Sequence, residues 1–103
     1  MKSFCLVTGP LGAPVFTNQD SSSSIVAYQH EDVTLDCEAV GDWPMTFTWS
    51  YKGHIIQSSN KSNLNLQNVT KDKDQGFYTC NVTNKLGTNL KTLHLQLKGM
   101  AKF

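Results

Sequence analysis

Three cysteines, three histidines, two neighbouring aspartates and a set of asparagines are the residues of this 103-residue chain whose types support chemistry. Thiolates oxidise to disulfides or ligate metals, and histidine ligates metals or moves protons. Spacing decides which of these a chain can do. His30, His54 and His94 are scattered without local ligand spacing, and Cys5, Cys37 and Cys80 form no Cys-x-x-Cys pair. No His-Glu-x-x-His and no Gly-rich phosphate loop occurs either. The expectation is no enzyme, no metal, no cofactor, and histidines in solvent. Asp72 and Asp74 sit beside a strand, where a structural role accounts for them. The asparagines are more informative. Asn60-Lys61-Ser62, Asn68-Val69-Thr70 and Asn81-Val82-Thr83 are N-glycosylation sequons without a central proline. One such tripeptide is unsurprising in this composition, whereas three favour a secretory route.

The elements that must position these residues are short strands. More than a quarter of the chain is Ser, Thr or Asn, which compete with helical backbone bonds. Val33, Leu35, Cys37 and Ala39 alternate with polar neighbours, as do Phe47, Trp49 and Tyr51, then Leu64 and Leu66, then Tyr78, Cys80 and Val82, then Leu93, Leu95 and Leu97. Turn signals separate them: Gly41-Asp42-Trp43-Pro44, Lys52-Gly53, Ser58-Ser59-Asn60, Lys71-Asp72-Lys73-Asp74 and Asn84-Lys85-Leu86-Gly87. The pattern predicts an all-β sandwich or barrel. Leu90 is out of phase with Leu93, which predicts a bulge or twist early in the last strand. Pro14-Val15-Phe16 reads as the start of an edge strand, and Asp20 with the four following serines as a loop.

Size and charge bound the rest. The length suits one domain with a small core that gains from a covalent staple. A formal charge of +1 and the lack of arginine argue against nucleic acid and against membrane contact by this domain. No apolar run is long enough to span a bilayer. The start, Met1 to Val7, is broken by Thr8-Gly9-Pro10 too early for a signal-peptide core, so a targeting signal and a membrane anchor are expected outside this fragment. Cys5-Leu6-Val7-Thr8 with Leu11-Gly12 echoes Cys80-Asn81-Val82-Thr83 with Leu86-Gly87, an echo short enough to arise by chance.

Cys37, Trp49 and Cys80 share the inward phase of their strands, and Tyr78 stands two residues before the second cysteine. This Cys…Trp…Tyr-x-Cys arrangement is that of an immunoglobulin sandwich. From Pro14 to about Lys98 the chain resembles the I-set immunoglobulin domains of cell-adhesion molecules and receptor ectodomains. Asp74-x-Gly76-x-Tyr78-x-Cys80-x-Val82-x-Asn84-x-x-Gly87, Gly41-Asp42-x-Pro44 before Phe47-x-Trp49, and Leu64-x-Leu66-x-x-Val69 carry the resemblance. It implies an all-β sandwich of two antiparallel sheets, one inter-sheet disulfide between Cys37 and Cys80, Trp49 covering it, and Tyr78 bonding backbone at a corner. It divides the chain into residues 1–13 as linker or remnant, 14–98 as the domain and 99–103 as linker. Many relatives pair the Asp74-type carboxylate with an arginine. None exists here, so Lys61 or backbone amides must serve, and the corner is expected to be looser. Trp43 also departs from the proline often found at its position. Cys5 falls outside the pattern, as a free thiol, a dimerisation site or a remnant of a neighbouring domain.

The resemblance implies a non-catalytic extracellular recognition module of a larger cell-surface protein, binding a protein ligand or a second copy of itself. Neighbouring immunoglobulin-like domains in the chain are expected. The first alternative is a structural spacer in a tandem array, extracellular or of the intracellular muscle type, which keeps the fold without the disulfide. A weaker one is a modulatory ectodomain beside a kinase or phosphatase on one chain. Candidate partner-binding residues are Trp43, Pro44 and Met45 with Leu86 at one end of the sandwich, and His54, Ile55 and Ile56, where adjacent isoleucines cannot both point inward. Asn81 points outward among Thr46, Thr48, Ser50, Phe77, Thr79, His94 and Gln96, so an occupied Asn81 would move binding to loop ends or the opposite sheet.

Overall fold

The computed structural model describes residues 12–17 and 22–99. Cys5 with its short echo, Asp20 and residues 100–103 lie outside the described residues. The described strands are β1 (Val15–Phe16), β2 (Ser22–Tyr28), β3 (Val33–Asp36), β4 (Ala39–Val40), β5 (Thr46–Tyr51), β6 (His54–Ser59), β7 (Asn63–Leu66), β8 (Gly76–Asn84) and β9 (Gly87–Lys98). One helical turn, α1 (Lys71–Asp74), stands where the sequence shows only a turn signal.

Five strands form one sheet in the order β2-β9-β8-β5-β6. Its pairs are antiparallel except β2 with β9, which runs parallel. The opposing layer is two small ladders, β1 with β4 and β3 with β7. Bonds from Thr17 N to the Glu38 carbonyl (3.0 Å) and from Cys37 N to the Ser62 carbonyl (3.2 Å) extend them. Thus the chain changes sheets between β1 and β2. Of the serine-rich stretch read as a loop, Ser22 to Ser24 are instead strand, paired through their backbone with Thr92, Leu93 and His94. The Lys52-Gly53 turn is a two-residue hairpin with positive φ at both positions (51° and 80°), the combination that follows the twist of paired strands.

The last strand corrects a second expectation. Its register with β8 is unbroken from Gly87 to Leu95, and Leu90 faces outward. The inward positions there are Asn89 and Lys91. At that end the strand faces the incoming chain, with Asn89 Nδ2 donating to the Pro14 carbonyl (3.2 Å) and the Lys91 ammonium 5.5 Å from the Phe16 ring centroid. Lys91 is 3% exposed. Its aliphatic stem serves as packing surface, as long cationic side chains allow. The bulge lies elsewhere, between Trp49 and Ser50 on the β5–β6 ladder.

Cys37 and Cys80 are bonded across the layers, 6.5 Å apart at Cα. Trp49 is the register partner of Cys80 and is fully buried in the same cluster as Leu35, Phe47, Val69, Tyr78, Val82 and Leu95. The bridge closes a 43-residue separation. The chain-entropy relation gives such a loop roughly 4 kcal/mol.

The corner below the core is built on two stacked tyrosines, Tyr51 and Tyr78, with ring centroids 4.4 Å apart. The Tyr78 hydroxyl donates to the Asp74 carbonyl, and the Tyr51 hydroxyl to the Gln75 carbonyl. Burial, then the charges of Tyr51 and Asp74, push Tyr78 far above the ordinary phenol pKa, which keeps it a proton donor. Gly76 has φ +139°, and a Cβ there would lie 3.1 Å from Tyr51 Cε1, so the stack requires glycine. Asp74 is held without arginine and without Lys61. Its Oδ2 accepts from Thr70 N (2.9 Å) and from Lys73 Nζ (2.6 Å), while Thr70 Oγ1 accepts from Lys73 N (3.2 Å). This reciprocal cap replaces the guanidinium with backbone amide. Tyr78→Phe is expected to lower unfolding stability by about 1–2 kcal/mol, the cost of one buried hydrogen bond. Urea denaturation measures it, and an unchanged midpoint would show that the corner does not depend on this bond.

Candidate functional site

With the interior committed to packing, function falls to side chains left outside. Among the described residues no group of three or more His, Cys, Asp or Glu could hold a metal. No described helix is long and apolar enough to cross a membrane. His94 is not a freely solvated ring: it stacks on Phe77 with centroids 4.3 Å apart and has Gln96 Nε2 3.3 Å from Nδ1. His30 donates through Nδ1 to Asn68 Oδ1 (3.0 Å), and His54 is exposed.

The loop cluster Trp43, Pro44, Met45 and Leu86 divides between core and surface. Met45 is 1% exposed and belongs to the core, because it begins the inward phase continued by Phe47 and Trp49. Trp43, after which the peptide bond to Pro44 is cis, is 61% exposed. It lines a cavity of about 180 Å³ together with Glu38, Ala39, Phe47, Asn60 and Ser62. Leu86 is exposed on the β8–β9 turn. That turn faces the incoming chain: a Cβ on Gly87 would lie 3.2 Å from Ala13 Cβ.

Asn84 organises this end of the sandwich, a role the sequence reading left inside a turn motif. Its Nδ2 donates to the carbonyls of Gly12 (2.9 Å) and Asp42 (3.0 Å), and its Oδ1 accepts from Leu86 N (2.8 Å) and Gly87 N (3.1 Å). Asp42 N donates to the Gly12 carbonyl (3.0 Å) and Gly12 N to Asp42 Oδ1 (3.2 Å). Gly41 permits the approach, since a Cβ there would meet the Gly12 carbonyl and Pro14 Cα at 3.1 Å. The incoming chain is thereby fixed against both loops.

His54, Ile55 and Ile56 are all exposed on β6, the edge of the five-stranded sheet. The bulge explains how two adjacent isoleucines avoid the interior. Gln57 pairs with Trp49 and Ile55 with Ser50, so Ile56 is the extra residue between them. Ile55 is 70% exposed. The centre of the sheet's outer face carries Thr46, Thr48, Ser50, Phe77, Thr79, Thr83, Leu90, Thr92 and His94, with the exposed Lys98 only at the end of β9. Asn81 lies in that face, opposite Thr48 on one side and Leu90 on the other. Phe77 and Leu90 are exposed there, and Val26 is exposed on β2.

The described geometry matches a known family. The model of the immunoglobulin domain matches residues 13–84. The human netrin receptor DCC is 41% identical over 70 residues, covering 61% of this chain and 5% of the receptor. Rat contactin-3 is 35% identical over 86 residues, covering 76% of this chain and 8% of that protein. Among solved structures, Sidekick-1 immunoglobulin domains 1–5 superpose with a TM-score of 0.75 at 25% identity, covering 86% of this chain and 19% of the other. The titin tandem A164–A165 shares the fold, with a TM-score of 0.76 at 17% identity over 86% of this chain and 51% of the other. The chain therefore spans less than a tenth of the length of these two curated relatives.

Asn84→Ala leaves two carbonyls and two amides without their side-chain partner. It is expected to cost about 1–3 kcal/mol in denaturant unfolding, with Asn84→Asp recovering the part owed to Oδ1. Equal losses in the two variants would show that only the donated bonds matter.

Proposed function

Because the chain belongs to the immunoglobulin domain family, we propose that it is a non-catalytic extracellular recognition module of a larger cell-surface protein. Its partner is a protein ligand or a second copy of the chain. The observation that carries this reading is the exposed apolar patch of Ile55 and Ile56 on the sheet edge. Folded monomers gain nothing from two adjacent solvated isoleucines there, while interface cores are apolar and poor in charge. None of the three sequon asparagines lies within the patch. Asn60 lies four residues beyond Ile56, about 14 Å away at strand rise, and Asn81 lies two strands in. A glycan at Asn81 would stand in the middle of the sheet face and leave the β6 edge open. The resemblance to adhesion and receptor proteins and the three sequons support the extracellular placement.

A second reading, a structural spacer in a tandem array, is supported by the clamp around Asn84. It holds Gly12 itself against both loops, a fixed point of the kind that a rigid joint between domains requires.

Ile55→Lys combined with Ile56→Lys separates the two. Surface changes of this kind leave stability within about 0.5 kcal/mol. If the patch is the contact, affinity of the full ectodomain for its co-purified partner falls at least about tenfold. Unchanged affinity in a folded double variant would remove the patch and favour the spacer.

A further inference from the structure

Trp43 and Asn60 come from different loops, β4–β5 and β6–β7, yet line one small cavity with Glu38, Ala39, Phe47 and Ser62. The β6–β7 loop is tied to the end of β3 beside it. Cys37 N donates to the Ser62 carbonyl, and Ser62 Oγ donates to Asp36 Oδ1 at 2.7 Å. Trp43 exposes more than half its surface, an unusual state for the largest apolar side chain on a domain this small. Asn60 is exposed, and among the described residues no hydrogen bond engages its side-chain amide. Asn68 differs, since its Oδ1 is held by His30, and Asn81 sits half-buried between strands.

We propose that Asn60 carries an N-linked glycan whose first N-acetylglucosamine packs against the Trp43 indole, so that Trp43 is a carbohydrate platform rather than a protein-binding residue. This rests on the extracellular reading, since N-glycans are added only along the secretory route. The chemistry fits the cavity. A pyranose ring with equatorial substituents presents a face of C–H bonds, and an indole offers the broadest electron-rich face among side chains. Glu38 supplies a carboxylate for the sugar's amide N–H and hydroxyls, and Ala39 with Phe47 forms an apolar floor. Because the sugar is tethered one side chain away, its effective concentration at the indole is high, and weak stacking suffices to hold it. The consequence is a division of the surface. The glycan shields the Trp43 end of the sandwich and leaves the β6 patch as the apolar surface open to a protein.

Secretion of the full 103-residue chain from a eukaryotic host tests this, with Asn68→Gln and Asn81→Gln introduced to isolate Asn60 and the unsubstituted chain mapped in parallel. Trp49 is fully buried, so acrylamide quenching of tryptophan fluorescence reports Trp43. Quenching is expected to stay weak while one N-acetylglucosamine remains after endoglycosidase trimming, and to rise once an amidase removes the whole glycan. The glycan is expected to raise the melting temperature by roughly 4 °C in this chain and by nothing in Trp43→Ala. Asn60→Gln should show strong quenching before and after enzyme treatment. An unsubstituted chain bare at all three sequons overturns the extracellular reading and this inference with it. Glycans at Asn68 or Asn81 with Asn60 bare overturn the inference alone. So does an occupied Asn60 whose removal leaves both quenching and the melting difference unchanged.

Discussion

The bond between Cys37 and Cys80 is the constraint on which the rest of the structure depends. The five-stranded sheet is large enough to be a stable layer, but the layer facing it is not. It consists of two two-stranded ladders, and isolated pairs of that size are marginal in water. Cys37 sits at the break between β3 and β4, where one strand passes from the β7 ladder to the β1 ladder. Bonding that residue to the middle of β8 fixes both ladders against the large sheet at once. Trp49, the register partner of Cys80, fills the space beside the bridge.

A core closed this tightly leaves recognition to its outside, and the outside is zoned. One end is committed to the incoming chain through Asn84, Asp42 and Gly41. The centre of the large sheet is uncharged but holds a sequon at Asn81. Its edge carries the bulge that exposes Ile55 and Ile56. That bulge links packing to function directly. The inward phase needed by Trp49 and Gln57 is kept on both sides of one extra residue, and the extra residue turns outward.

Much of this was legible in the sequence. Period-2 alternation marks Leu35, Cys37, Phe47, Trp49, Tyr78, Cys80 and Val82 as inward, and all of them are buried, because one-sided burial enforces that period. What escaped it depends on the other partner. Leu90 reads as a bulge only if inward positions are apolar, whereas Asn89 and Lys91 face the incoming chain at Pro14 and Phe16. Ser22 to Ser24 looked like a loop because parallel pairing uses backbone groups that composition does not reveal. Of the two supports the sequence offers Asp74, Lys61 or backbone amides, the amide of Thr70 serves, joined by the adjacent Lys73 ammonium. Met45 is core because the inward phase of β5 reaches it, while Trp43, two residues earlier, lines one cavity with Asn60 through loops that no local pattern connects.

The central claim is an oxidised, glycan-bearing domain outside the cell. Intact mass of the protein isolated from its native source, without reductant and with and without glycosidase and thiol alkylation, tests it most directly. The account predicts no alkylation of Cys37 or Cys80 before reduction and a mass loss at sequon asparagines on deglycosylation. Both cysteines alkylated without reduction, together with no change in mass on deglycosylation, would contradict it and place the domain in a reducing, intracellular array.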